Sequence, residues 1–163
     1  MAQVVIALGS NLGDRRMHLS QARRFLSTLG GTSLVASSIY ETEPVGEAST
    51  FEYFNAVCSF EAGLDAFSLL MQLKQYEQRY GRDPDAPRWA NRTIDLDIID
   101  YGRQEICDGR LKVPHPEYHN RLFVLEPLRE IWPDWTDVRT GTGIGSLIAS
   151  SPRIGITKLS LNW

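Results

Sequence analysis

An α+β fold built on a mainly antiparallel sheet is what this sequence predicts. Three observations carry that prediction. Residues 53–61 and 94–98 alternate side chains with the period of a half-buried strand. Two stretches repeat apolar residues at helical spacing, one through Leu19, Ala22, Leu26 and Leu29 and the other through Leu69, Leu73, Tyr76 and Tyr80. The elements follow the order β-α-β-β-α-β, the split βαβ arrangement called ferredoxin-like, with an extra C-terminal helix and strands and long loops over the active site.

Val4-Val5-Ile6-Ala7-Leu8 is a short apolar run, read as a buried strand. Gly9 to Asp14 turns into the first helix, with Asp14 as N-cap. A strand-turn-helix with glycines can cradle phosphate, but this one has neither the Walker lysine nor the full GxGxxG spacing and reads as a tight structural turn bordering the site. Gly30-Gly31 stops the helix. Ser33 to Tyr40 reads as a second strand, and Glu41 to Thr50 as a long polar loop broken by Pro44 and Gly46. The third strand runs from Tyr53 to Glu61, with Phe54, Ala56, Cys58 and Phe60 on one face and Tyr53, Asn55, Val57, Ser59 and Glu61 on the other. Asn55 on the polar face either reads a ligand through its carbonyl and amide or steadies a strand end.

Leu64 to Tyr80 is the second helix, stopped by Gly81. Lys74 and Glu77, three apart, read by themselves as a surface ion pair. Beyond the fourth strand, Arg110 to Val113 is a short strand, and Val113-Pro114-His115-Pro116 a kinked loop. Tyr118 to Ile131 is a third helix in which Pro127 marks a kink or an early end. Trp132 and Trp135 read as packing residues. The tail from Gly141 closes the fold, and its function is not legible in the sequence.

The 163 residues read as a single domain, 1–163, with 42% hydrophobic and 23% charged residues. A net charge of −3 argues against nonspecific nucleic-acid or membrane binding. The apolar run at the amino terminus is too short for a signal peptide or a membrane span. Cys58 and Cys107, without a CxxC, read as free thiols in a reducing cytoplasm.

The chemistry centres on Arg92-Thr93-Ile94-Asp95-Leu96-Asp97-Ile98-Ile99-Asp100-Tyr101. As a strand it turns Ile94, Leu96 and Ile98 one way and Asp95, Asp97 and Ile99 the other. The two carboxylates then sit roughly 7 Å apart at their Cα atoms. A lone Asp-x-Asp also serves to keep a strand face soluble. Here the pair is bracketed by arginines, at 79, 82, 88 and 92 upstream and at 121 downstream. That pattern suits a divalent cation on the acids and phosphate oxygens on the guanidinium forks.

These residues together resemble the hydroxymethyldihydropterin pyrophosphokinase family. The blocks are Ala7-Leu8-Gly9-Ser10-Asn11-Leu12, Tyr40-Glu41-Thr42-Glu43-Pro44-Val45-Gly46, Tyr53-Phe54-Asn55, Arg88 to Asp97, and Val113-Pro114-His115-Pro116 with Asn120-Arg121-Leu122-Phe123. They run in family order across most of the chain. The resemblance implies transfer of pyrophosphate from ATP to the hydroxymethyl group of 6-hydroxymethyl-7,8-dihydropterin in folate biosynthesis, giving AMP and the pterin pyrophosphate. It implies a monomer holding two Mg²⁺ ions on Asp95 and Asp97, with Arg82, Arg92 and Asp97 at the reacting phosphates. Thr42, Pro44, Val45, Tyr53, Asn55, Trp89 and Phe123 would form the pterin pocket. Lys74, Glu77, Ile98, Arg110, Leu111, Lys112, His115 and Arg121 would bind ATP. Three positions depart from the family pattern: Pro84 in place of an arginine, Pro116 in place of a tyrosine, and Lys74 in place of a neutral amide. Two rival readings use the same residues: another two-metal nucleotidyl or phosphoryl transferase, which needs no ring pocket, and a non-enzymatic ferredoxin-like regulatory module.

Overall fold

Two apolar layers, one on each face of the sheet, organise the chain. The computed structural model describes residues 1–30, 33–44, 51–80 and 93–163. Its strands are β1 (Ala2–Ser10), β2 (Val35–Ala36), β3 (Tyr40–Thr42), β4 (Tyr53–Ala62), β5 (Asp95–Tyr101), β6 (Ile106–Cys107), β7 (Lys112–Val113) and β8 (Ile156–Lys158). The helices are α1 (Arg15–Gly30), α2 (Ala66–Arg79), α3 (Leu122–Ile131) and α4 (Ile144–Ser150). The main sheet has the order β5-β1-β4-β3-β8, with β2 also on β4, and every pairing is antiparallel. β6 and β7 pair separately. This is the ferredoxin-like order with one strand added at the edge.

Strand alternation divides the core. Val4, Ile6 and Leu8 of β1, Cys58 and Phe60 of β4, and Leu96 and Ile98 of β5 pack under α1 and α2. Asp14 caps α1 by accepting the Met17 N–H at 2.9 Å, and Asp65 caps α2 through the amides of Phe67 and Ser68. α1 runs through Gly30, where any Cβ would overlap the Phe60 ring. The other face is not left to loops, as the sequence suggested. Val5, Val57 and Ile99 are covered there by Leu125 and Leu128 of α3 and Ile144 and Ile148 of α4. Ala7 packs at the edge of this cover, and the strands carry Gly9, Asn55, Asp95 and Asp97 on towards one end of the same face.

Several boundaries differ from the sequence reading. β1 continues through Gly9 to Ser10, so the turn begins at Asn11. The expected strand Ser33–Tyr40 is two short pieces, because the Ser37 hydroxyl accepts the Val57 N–H at 3.0 Å and interrupts the ladder. The third helix begins at Leu122 rather than Tyr118. Residues Tyr118–Asn120 form a 3-10 turn, and Arg121 is extended at φ −121°. Tyr118 is held outside the helix by its hydroxyl bond to Asp137 and its edge-on contact with Trp135. Pro127 does not end α3, which runs on to Ile131. α2 begins at Ala66, and Tyr80 lies past its end, half-exposed and tilted against Tyr76.

The tail acquires a role. α4 completes the second core layer, and β8 pairs with β3. The Trp163 indole then donates to the Ser37 carbonyl at 2.9 Å, and Arg23 donates to the Trp163 carbonyl. Cys58 is buried, and that burial pushes its thiol up to about 12, whereas Cys107 is exposed. No helix among the described residues is long and apolar enough to cross a membrane.

Candidate active site

β5 presents Asp95 and Asp97 on the sheet face opposite α1 and α2, because Leu96 and Ile98 take the buried positions between and beyond them. β1 runs alongside with Gly9 opposite Asp95 and Ala7 opposite Asp97. Its other edge places Gly9 opposite Asn55 and Ala7 opposite Val57 of β4. Two small residues thus floor a slot between an acidic wall and an amide wall. A methyl group at Gly9 would stand 3.2 Å from Asn55 Oδ1 and 3.7 Å from the Tyr53 ring.

The amide wall is braced from β3. Asn55 Nδ2 donates to Thr42 Oγ1 at 2.7 Å, and both residues are buried. Tyr53, paired with Thr42 in register, is half-buried beside them. α3 supplies the third side. Arg121 approaches Asp97 at 4.0 Å and lies 5.6 Å over the ring of Phe123, which is half-buried in the first turn. Pro44 is exposed just past β3.

The acids share a charged neighbourhood reaching through the sheet. Glu77 of α2 is fully buried, contrary to the surface ion pair expected of it. Its Oε1 accepts the Leu96 N–H at 2.8 Å, and its Oε2 pairs with Lys74 Nζ at 3.0 Å. Desolvation first, and then the Asp95 charge, push the Asp97 carboxyl up to about 7, with Lys74 and Arg121 pulling the other way. Burial and Asp95 likewise raise Glu77. Carboxylates crowded together raise one another, and a cation among them relieves that repulsion. The two aspartates on one strand face offer the hard oxygen donors that a magnesium ion takes. The donor set therefore fits the metal.

The remaining nucleotide candidates are less concentrated. Ile98 and Leu111 are core residues of the α1–α2 layer. Arg110 pairs with Asp108 and lies 4.6 Å over Phe67 at the start of α2, about 15 Å along that helix from Glu77. Lys112 is exposed on β7. His115, half-buried after the cis Val113–Pro114 peptide, accepts the Glu117 N–H through Nδ1 at 3.1 Å. Val45, Arg82, Trp89 and Arg92, like Pro84, lie outside the described residues. Gly9 and Ala7 are the site residues that the sequence reading passed over. The signal was present: two small residues, two apart, at the end of the Val4–Leu8 run of Val, Ile and Leu.

Fold and slot together define the class, a ferredoxin-like α+β domain with paired aspartates and an amide facing each other across one strand. The chain belongs to the 7,8-dihydro-6-hydroxymethylpterin-pyrophosphokinase (HPPK) family, whose model matches residues 5–133. It is 43% identical over 127 residues to the 2-amino-4-hydroxy-6-hydroxymethyldihydropteridine pyrophosphokinase of Bacillus subtilis, covering 77% of this chain and 75% of that one. The enzyme of the same name from Pseudomonas aeruginosa is 38% identical over 158 residues, 96% of both chains. The fold matches the crystal structure of wild-type Plasmodium falciparum HPPK-DHPS with SDX-DHP at a TM-score of 0.69 and 14% identity, over 91% of this chain. This chain spans only 43% of that longer one.

Proposed function

We infer that this chain transfers the pyrophosphoryl group of ATP to the hydroxymethyl group of 6-hydroxymethyl-7,8-dihydropterin, giving AMP and the pterin pyrophosphate for folate synthesis. Membership of the pyrophosphokinase family supports the reaction. One observation supports its location: Gly9 stands between Asn55 and Asp95, so a flat ring on the amide wall lies one strand away from the acids.

In this reading Asp95 and Asp97 hold two magnesium ions. Magnesium bound there would neutralise the triphosphate and polarise its oxygens. Asn55, steadied by Thr42, reads the polar edge of the pterin, and Tyr53 and Phe123 flank its faces, with Pro44, Val45 and Trp89 around it. Arg121 sits where it can meet both a phosphate and Asp97. Arg82 and Arg92 grip phosphate oxygens as charge moves to the leaving group. Lys74, Glu77 and His115 serve the nucleotide side, with Ile98, Arg110, Leu111 and Lys112.

The test is product analysis with ATP, Mg²⁺ and the pterin. AMP formed one-for-one with pterin pyrophosphate is the expected result, and ADP overturns the reading. Asp97→Asn should abolish turnover in a protein that stays folded by circular dichroism. A Mg²⁺ titration showing one activating ion instead of two would remove the two-ion assignment.

A further inference from the structure

Arg15 opens α1 on the sheet face opposite the slot. A cation in the first turn of a helix opposes the helix dipole, so the Asp14 cap, not Arg15, suits this helix end. The reason for an arginine there lies across the sheet strands instead. Its Nη2 pairs with Glu41 at 3.1 Å, its Nη1 donates to the Glu52 carbonyl at 2.8 Å, and its guanidinium lies 3.8 Å over the Phe54 ring. Glu41 and Phe54 face each other in the β3–β4 register, so one planar group grips a cross-strand pair and the backbone leading into β4.

Each gripped residue is the chain neighbour of a pocket residue. Glu41 precedes Thr42, Glu52 precedes Tyr53, and Phe54 lies between Tyr53 and Asn55. Alternation sends these neighbours through to the slot face. β3 is only three residues long, so few ladder bonds tie it to β4 and the Arg15 contacts add to them. We propose that Arg15 is a positioning residue for the acceptor pocket, clamping β3 to β4 from behind so that Thr42, Tyr53 and Asn55 stand ready for the heterocycle. The proposal rests on the pterin-pocket reading above. It assigns Arg15 no contact with ATP, because Asp95, Asp97 and Arg121 hang from β5 and α3, which Arg15 does not touch in these contacts. A lysine cannot replace it, since the planar fork makes the ion pair, the carbonyl bond and the ring contact together.

The test is steady-state kinetics of Arg15→Ala, Arg15→Lys and Glu41→Gln, with calorimetric titration of 6-hydroxymethylpterin. For Arg15→Ala the KM for the pterin should rise about tenfold, with pterin binding weakened in parallel and the KM for ATP held near wild type. Arg15→Lys should recover part of the loss. Glu41→Gln should raise the pterin KM less, and the Arg15→Ala, Glu41→Gln double variant should be no worse than Arg15→Ala alone. If Arg15→Ala does not fold, Glu41→Gln and Arg15→Lys carry the test by the same KM split. Equal changes in both KM values, or none in the pterin KM, overturn the proposal. A wild-type protein that forms no pterin pyrophosphate would instead overturn the function on which it rests.

Discussion

Glu77 accepts the backbone N–H of Leu96 at 2.8 Å, between Asp95 and Asp97. A side chain of α2 thus fixes, from beneath the sheet, the peptide that carries the acid pair. Removing the acceptor leaves a buried N–H unsatisfied, which costs about 1–3 kcal/mol. Glu77→Ala should lose stability in that range by urea unfolding and should also weaken Mg²⁺ activation. Glu77→Gln keeps an acceptor for Leu96 and should lose less of both.

Gly9→Ala should separate activity from stability. The added methyl group would fall 3.2 Å from Asn55 Oδ1, the group proposed above to read the ring edge. The expected result is a fall of about tenfold or more in kcat/KM for the pterin, with the melting temperature held. A kinetically normal variant would mean that nothing binds over this floor.

Gly30→Ala should do the reverse. Its Cβ would run into the Phe60 ring in the α1–α2 layer, away from the slot. Overpacking of this kind costs about 1–3 kcal/mol, read as a lower denaturation midpoint, while kcat stays unchanged.

Acid stability should depend on Asp137. Burial works to raise its carboxyl, but the bonds from Tyr118 and Arg139 outweigh that and hold it below its ordinary value. Such a group stabilises the fold above the carboxyl's unfolded value, about pH 4, and that contribution is lost as pH falls through the folded value. Asp137→Asn should therefore be less stable at neutral pH and show a flatter acid limb. Thermal melts from pH 7 to pH 2 would show it.

The regular elements were legible because their periodicity is local. β4, β5, α1 and α2 each declare their buried face within their own residues, and Asp95 and Asp97 fall on the predicted side. What stayed hidden depends on partners distant in the chain. Nothing near Ser37 announces that its hydroxyl will take an amide from Val57, and nothing near Gly141 announces that α4 will cover Val57. The buried state of Glu77 was hidden likewise, since a Lys-x-x-Glu looks the same on a surface as it does under Leu96. The floor of the slot escaped because a glycine at the end of a strand reads first as a turn.

The β1–β5 register slips between Val5 and Ile6, and Ile99 is the residue skipped. Side chains after it change parity, so Asp100 joins Ile99 on the slot face, where it receives the Trp135 indole N–H at 2.8 Å and the Arg103 guanidinium at 2.6 Å. The spacing from Asp97 to Asp100 is consequently as constrained as the residues themselves. A one-residue deletion there would shift the frame of the strand, either swinging the Asp100 carboxylate into the apolar layer beneath α1 and α2 or drawing Asp97 off the acidic wall.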